Sequence, residues 1–255
     1  MPGSAPPSAT EVFDRVWALT IVVRVAVELP VPAELRAALA AMPVGDRKEV
    51  EHRGETQISS LREQLDANGA LVHLTERERT FLFTPAHAVP DDEWMLAITR
   101  LEALRTLAWS LGALPDLPPF DADPSTAVLD ALQGTDGTLS LRPREEIERM
   151  RELAGLWFWR SRTRALRDGL WPLPAGVTHA QLDDAVRDAA AGAVADGMIA
   201  SAIDGDLPAK GKAYRALGAA EWRQVSTTTN QRLHALNWLC GRAPENDWER
   251  TPLEV

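Results

Sequence analysis

Arg100, Glu102, Arg160 and His234 are the residues of this 255-residue chain whose types and settings come nearest to acid–base chemistry. A general acid or base needs a titratable group within hydrogen-bond reach of a substrate, usually with a shifted pKa, and a carboxylate on an otherwise apolar helix such as Glu102 meets the second condition. His234 lies with Trp238 on one face of the last helical segment, Arg232 and Asn237 flank that segment's apolar line on opposite sides, and these six residues form the candidate polar cluster. The competing reading is structural. A buried Glu with Arg105 at i+3, met by Arg160 from another helix, is also how ion networks fix helix register, and such networks shift pKa values without catalysing anything. This structural reading carries more weight.

Other chemistries find little support. His234 has no second His or Cys at i+3 or i+4 to build a metal face. The Asp204-Gly205-Asp206 loop lacks the repeated oxygen ligands and terminal Glu of a calcium loop. There is no Gly-x-Ser-x-Gly elbow, and Cys240 falls on an apolar stripe as a small hydrophobe. Neither a phosphate loop nor a glycine-rich turn after a strand occurs. No metal and no cofactor is therefore expected. Among the nine tryptophans, Trp94, Trp109, Trp157 and Trp238 sit at core spacing. Trp159 and Trp171 lie off the main stripes near several arginines. With Arg162 they form the candidate interaction surface, because Trp and Arg are enriched at binding hot spots. For that arginine run a solvated helix face with acidic neighbours is the reading that carries more weight.

Helical elements must position these groups. The stripe Val12, Val16, Leu19, Val23, Val27 predicts a helix, begun by a Ser8/Glu11 capping box and ended by Pro30 and Pro32. A second is expected from Asp46 to Ala67, closed by Asn68-Gly69, and a short third from a Thr75/Glu78 capping box through Phe83. The segment from Asp91 to Gly112 is apolar nearly all round, which makes it central, and Arg100 projects toward its core side. After a Pro- and Asp-rich connection at 115–123, Asp123 is the expected cap of a short helix from Pro124. Thr138 to Leu141 read as extended. A long helix follows Pro143 through Asp168, and a Thr178/Gln181 capping box opens another to about Ala195. The last segment, carrying Trp222, Val225, Leu233, Leu236 and Cys240 on one line, is a helix or a pair broken near Ser226 to Thr229.

Composition bounds the class. The chain is 45% hydrophobic and 25% charged with a formal net charge of −10, so it is expected to be globular, with no nucleic acid as partner, since phosphate binding needs a dense basic face. The lone Cys240 excludes an internal disulfide framework and fits a reducing cytoplasm. Residues 1–10 lack the basic start of a secretory signal and read as a disordered lead. The apolar run from Val16 is interrupted by Arg24, too short for a membrane span. No internal repeat appears.

Three strings carry a family resemblance: TRLEALRTLAWSLG at 99–112, REEIERMRELAGLWFWRSR at 144–162 and QRLHALNWLCG at 231–241. They resemble the bacterial family called domain of unknown function 4272, with a similarity running from about Arg15 to Trp248. The family's Arg-x-Glu matches Arg100 and Glu102, its Trp-Arg matches Trp159 and Arg160, and its Arg-x-His-Ala-Leu-Asn-Trp matches Arg232, His234, Asn237 and Trp238. The chain departs at Thr99, where Trp is expected, at Gln231, where Glu is common, and in its tail, which lacks an acidic pair after Trp248. The resemblance implies a mostly helical, cytosolic bacterial domain and brings no reaction with it.

The expected architecture is all-α, an irregular orthogonal bundle of seven to nine helices with at most a small β element. It forms one domain over 11–255 with a weak internal boundary at 115–123. The expected function is noncatalytic binding of another protein, or self-association, in the cytoplasm. The alternative is an enzyme or small-ligand binder using a pocket walled by Arg100, Glu102, Arg160 and His234.

Overall fold

All three capping boxes close in the computed structural model, which describes residues 5–67, 69–133 and 140–253. The side chains of Ser8, Thr75 and Thr178 each accept from the backbone N–H three residues on, while Glu11, Glu78 and Gln181 accept from the cap's own N–H. Each box satisfies two of the donors that a helix start leaves orphaned. They open α1 (Ala9–Glu28), α4 (Glu76–Phe83) and α9 (His179–Ala195). Of the expected disordered lead, residues 1–4 lie outside the described residues, and Ala9 and Thr10 already belong to α1.

The remaining helices are α2 (Pro32–Ala41), α3 (Val44–Ala67), α5 (Asp91–Thr99), α6 (Leu101–Ser110), α7 (Ala127–Gln133), α8 (Arg144–Arg167) and α10 (Ala219–Leu239). One hairpin, β1 (Pro208–Ala209) with β2 (Lys212–Ala213), is antiparallel. The chain is thus mostly helical with a single small β element among the described residues. α2 was not foreseen. Pro32, read as part of a stop signal, occupies the first turn of α2, where a missing N–H costs nothing. α5 and α6 are the expected central helix, broken only at Arg100. α10 runs unbroken through its Ser and Thr run, where the Thr229 hydroxyl donates to the Val225 carbonyl at 2.7 Å. α7 starts at Ala127 rather than at 124: Asp123 accepts the Lys210 ammonium at 2.6 Å, and it is the Ser125 hydroxyl that accepts the Ala127 N–H, at 3.3 Å. Thr138 lies outside the described residues.

Two apolar clusters share α1. Val12, Val16, Leu19 and Val23 join α6, α8, α10 and the hairpin, while Ala18, Ile21, Val22 and Val25 join Ile58 and Leu61 of α3, Phe81 of α4 and Trp94 of α5. A helix covered on both sides has little use for a polar face, which explains its β-branched, nearly uninterrupted apolar sequence. Every residue of α6 is buried. Segment 115–123 packs against this core, with Phe120 stacked on Trp157 at 5.2 Å between ring centres. No single helix among the described residues is long and apolar enough to cross a membrane; only the bent pair α1–α2 has the length and composition.

Candidate functional site

Arg100 sits at the α5–α6 break, its guanidinium aimed at α4. There Glu78, only 2% exposed, accepts both Arg100 and Arg15 of α1 on its Oε1. Arg15 also donates to the second Glu78 oxygen at 2.8 Å and to the His73 carbonyl at 2.9 Å. Arg100 donates further to Glu249 at 2.9 Å. Burial opposes ionisation of Glu249, but Arg100, then the Thr75 side chain and Arg15, hold its carboxyl below the ordinary range. Arg15 lies over the Trp248 ring at 4.6 Å, and the His234 ring meets Trp248 edge-on at 4.5 Å. Burial, and after it the charge of Arg100, lowers His234 to about 4, so its imidazole is neutral at pH 7.

Glu102 belongs to a second cluster. It accepts Arg105 one turn on in α6, and from α10 it accepts Arg232 at 2.9 and 3.0 Å. Arg105 donates to the Ser125 carbonyl, and Arg232 donates to the Pro118 carbonyl at 2.6 Å while stacking on Phe120 at 4.8 Å. The guanidiniums therefore clamp the 115–125 connection onto the helices. Asn237 faces elsewhere, donating to the Pro252 carbonyl at 2.8 Å to pin the tail.

Arg160 forms the third. Its two donors meet both oxygens of Asp206, at 2.6 and 2.7 Å, and the same carboxylate accepts the backbone N–H groups of Leu207 at 2.8 Å and Arg215 at 2.9 Å. Burial raises the Asp206 pKa, and the hydrogen bond and charge of Arg160 more than offset it, leaving it lowered. Tyr214 covers the guanidinium at 4.7 Å. The single pocket expected from Arg100, Glu102, Arg160 and His234 is thus divided. Arg100 and His234 share one neighbourhood, Glu102 and Arg232 another, and Arg160 a third. The ion network expected between Glu102 and Arg160 is replaced by separate partners, because α8 turns Arg160 toward the hairpin.

Sequence reading missed Arg15, Glu78, Asp206 and Glu249. For Arg15 the signal existed, since a lone charge in the Val12–Val16–Leu19 stripe is the argument that singled out Arg100. The spacing of Glu78 from Thr75 signals only a capping role, and Glu78 performs two tasks, accepting the Thr75 N–H at 3.1 Å as well as the two arginines.

Two surface features adjoin these clusters. A cleft of about 220 Å³ is lined by Glu11, Arg15, His73, Thr75, Trp238 and Trp248, and the buried Arg15 Nε has no hydrogen-bond partner. At the far end of α8, Arg162 lies 4.9 Å over the Trp171 ring, beside an exposed Leu170. Trp171 is 46% exposed. Trp159, one turn back from Arg162, is half-buried.

The model of the family described as domain of unknown function 4272 matches residues 4–178. The chain belongs to that family. The DUF4272 match runs from α1 through α8 and stops at Thr178, the cap of α9, so the string at 231–241 lies beyond it. Arg15, Glu78 and Arg100 all fall inside the match, whereas Arg232 and Asp206, partners of Glu102 and Arg160, fall outside. No curated protein and no solved structure matches the chain.

Proposed function

We propose that this DUF4272 chain is a noncatalytic protein-binding domain of the cytoplasm and that the Leu170–Trp171 turn with Arg162 is its anchor. The observation that carries this reading is the exposure of two adjacent large apolar side chains, 57% and 46%, at a helix end where a guanidinium already lies over the indole. A rigid aromatic beside an Arg is the usual composition of a binding hot spot. The economy of the polar clusters supports the same reading, since Glu78, Glu102 and Asp206 are each engaged by arginines. The test uses wild type and a Trp171→Ala/Leu170→Ser variant as baits in lysate of the native host, alongside sedimentation of each. A protein held by wild type and lost by the folded variant, or self-association lost in the same way, is expected. Equal capture by both, or no capture and a monomeric wild type, overturns the reading.

A second reading rests on Arg15. A buried Nε–H without a protein partner, on a residue that lines a cleft of about 220 Å³, suits a small polar ligand with an acceptor atom, because an unsatisfied buried donor costs roughly 1–3 kcal/mol. Crystals soaked with a library of polar fragments test it: ordered fragment density against Arg15 Nε supports this use, and water alone there in every soak overturns it.

A further inference from the structure

The other end of α8, away from Trp171, carries a cationic cleft that none of the polar clusters uses. α10 closes with a left-handed Gly241, φ 72°. The Gly241 N–H returns to the Trp238 carbonyl and the Arg242 N–H to the Asn237 carbonyl, both at 2.9 Å. Such a turn satisfies the last carbonyls of the helix and needs a residue that tolerates positive φ. It brings Cys240, Gly241 and Arg242 beside α8. There Arg144, Glu148 and Arg151 recur at i, i+4 and i+7 and so share one face. Together with Glu152 these residues line a cleft of about 430 Å³, a size that accommodates a small metabolite.

The charges in this cleft are unequally spent. Arg144 donates to Glu148 at 2.7 Å, which neutralises that pair. Arg151 and Arg242 reach no carboxylate or carbonyl with their guanidiniums among the described residues, in contrast to the buried arginines, each of which is held by an acidic partner. Three guanidiniums against two carboxylates leave the cleft positive on a chain whose formal net charge is −10. A local surplus of one sign in a concave site concentrates ligands of the other. The planar guanidinium forks match carboxylate and phosphate oxygens two at a time. Glu148 and Glu152 argue against a polyanionic strand and for a compact anion that also carries hydroxyl or amino donors.

We propose that this cleft binds a small organic anion, a carboxylate or phosphate compound, gripped by Arg151 and Arg242. Cys240 at its wall serves as a reporter. Burial raises its thiol pKa, with Arg151 the foremost opposing influence, so alkylation of the full-length protein is slow and responds to what occupies the cleft.

Calorimetric titration of the full chain with citrate, and separately with inorganic phosphate, at low ionic strength tests the proposal. Iodoacetamide labelling of Cys240 under the same conditions localises the event. Saturable binding of either probe is expected, weakened at least tenfold in Arg151→Gln/Arg242→Gln and accompanied by several-fold slower labelling of Cys240 in wild type only. Citrate binding without phosphate binding assigns a carboxylate ligand, and the reverse a phosphate. Arg223→Gln, on the exposed face of α10, controls for bulk charge, and Arg151→Lys/Arg242→Lys keeps the charge while removing the forks, should the Gln variant fail to fold. Absence of saturable binding by both probes overturns the proposal. So does equal weakening by Arg223→Gln, or binding that leaves Cys240 labelling untouched.

Discussion

The Arg160 guanidinium and the Asp206 carboxylate face each other fork to fork, at 2.6 and 2.7 Å, with neither side chain more than 3% exposed. The pair joins the middle of α8 to the residue that enters the hairpin, and the two backbone N–H groups on Asp206 fix that loop's direction. Removing one member leaves the other charged, buried and unmatched. Asp206→Ala is expected to cost about 3–5 kcal/mol. Arg160→Met with Asp206→Leu is expected to cost less than Asp206→Ala alone, because it buries no orphan charge. Urea unfolding midpoints for the three proteins decide this; a single variant within about 1 kcal/mol of wild type would show that the loop is held by something else.

Glu78 carries a heavier burden than Glu249, although both touch Arg100. Glu78 is 2% exposed and also answers Arg15, whereas the Glu249 side chain is 36% exposed and keeps part of its hydration. Glu78→Gln sets two buried guanidiniums against a neutral amide, so a loss of about 3–5 kcal/mol is expected, against about 1 kcal/mol or less for Glu249→Gln. Thermal unfolding of both variants provides the comparison, and equal losses would contradict the assignment of Glu78 as the central anion.

Glu102 is the sharpest discriminator between a structural and a chemical role. Its carboxylate is the only described anion between Arg105 and Arg232, and those arginines in turn hold the Ser125 and Pro118 carbonyls. Glu102→Gln is expected to lower stability by several kcal/mol and to expose the 115–125 connection to limited proteolysis. A melting temperature near that of wild type would place the carboxylate in water instead.

Why was so much of the helix pattern legible and so little of the polar pairing? Helix starts are local. Ser8 with Glu11, Thr75 with Glu78 and Thr178 with Gln181 contain their whole physical reason within four residues, and α6 announces its burial through its own apolar composition. The ion pairs are not local. Arg160 and Asp206 are 46 residues apart and Arg15 and Glu78 are 63 apart, so recognising Arg100 and Arg160 as buried cations could not reveal which carboxylates answer them. Glu102 with Arg105 was the exception because one helix turn joins them. α2 escaped for another reason: a proline was read as an ending, and the same ring geometry suits a first turn.

Trp171 and Leu170 lie outside both apolar clusters, so their removal subtracts little buried area. Trp171→Ala is expected to change unfolding free energy by no more than about 0.5–1 kcal/mol, most of it from the lost contact with Arg162. The same variant is expected to abolish partner capture. A large loss of stability with capture intact would make Trp171 a core residue rather than a binding anchor.

His234 provides the acid limit of the fold. In the unfolded chain an imidazole titrates near 6.5; in the folded protein burial, then Arg100, lowers it to about 4. Between these values the unfolded state binds more protons, so stability rises with pH across the window and this contribution is complete above about pH 6.5. Lowering the pH from 6.5 to 4.5 is expected to remove about 2–3 kcal/mol through this residue. Asp206 and Glu249, whose pKa values are lowered, act in the same direction further down. Their stabilisation is present above the ordinary carboxylate range and is lost as the pH falls through their folded values. The two regimes separate in a melting series from pH 7 to 3. His234→Gln retains a donor toward Trp248 but cannot titrate, so the decline between 6.5 and 4.5 should flatten while the steeper fall below pH 4 persists. An unchanged slope in the upper window would mean that the imidazole is solvated in the folded protein and that Arg100 does not govern its charge.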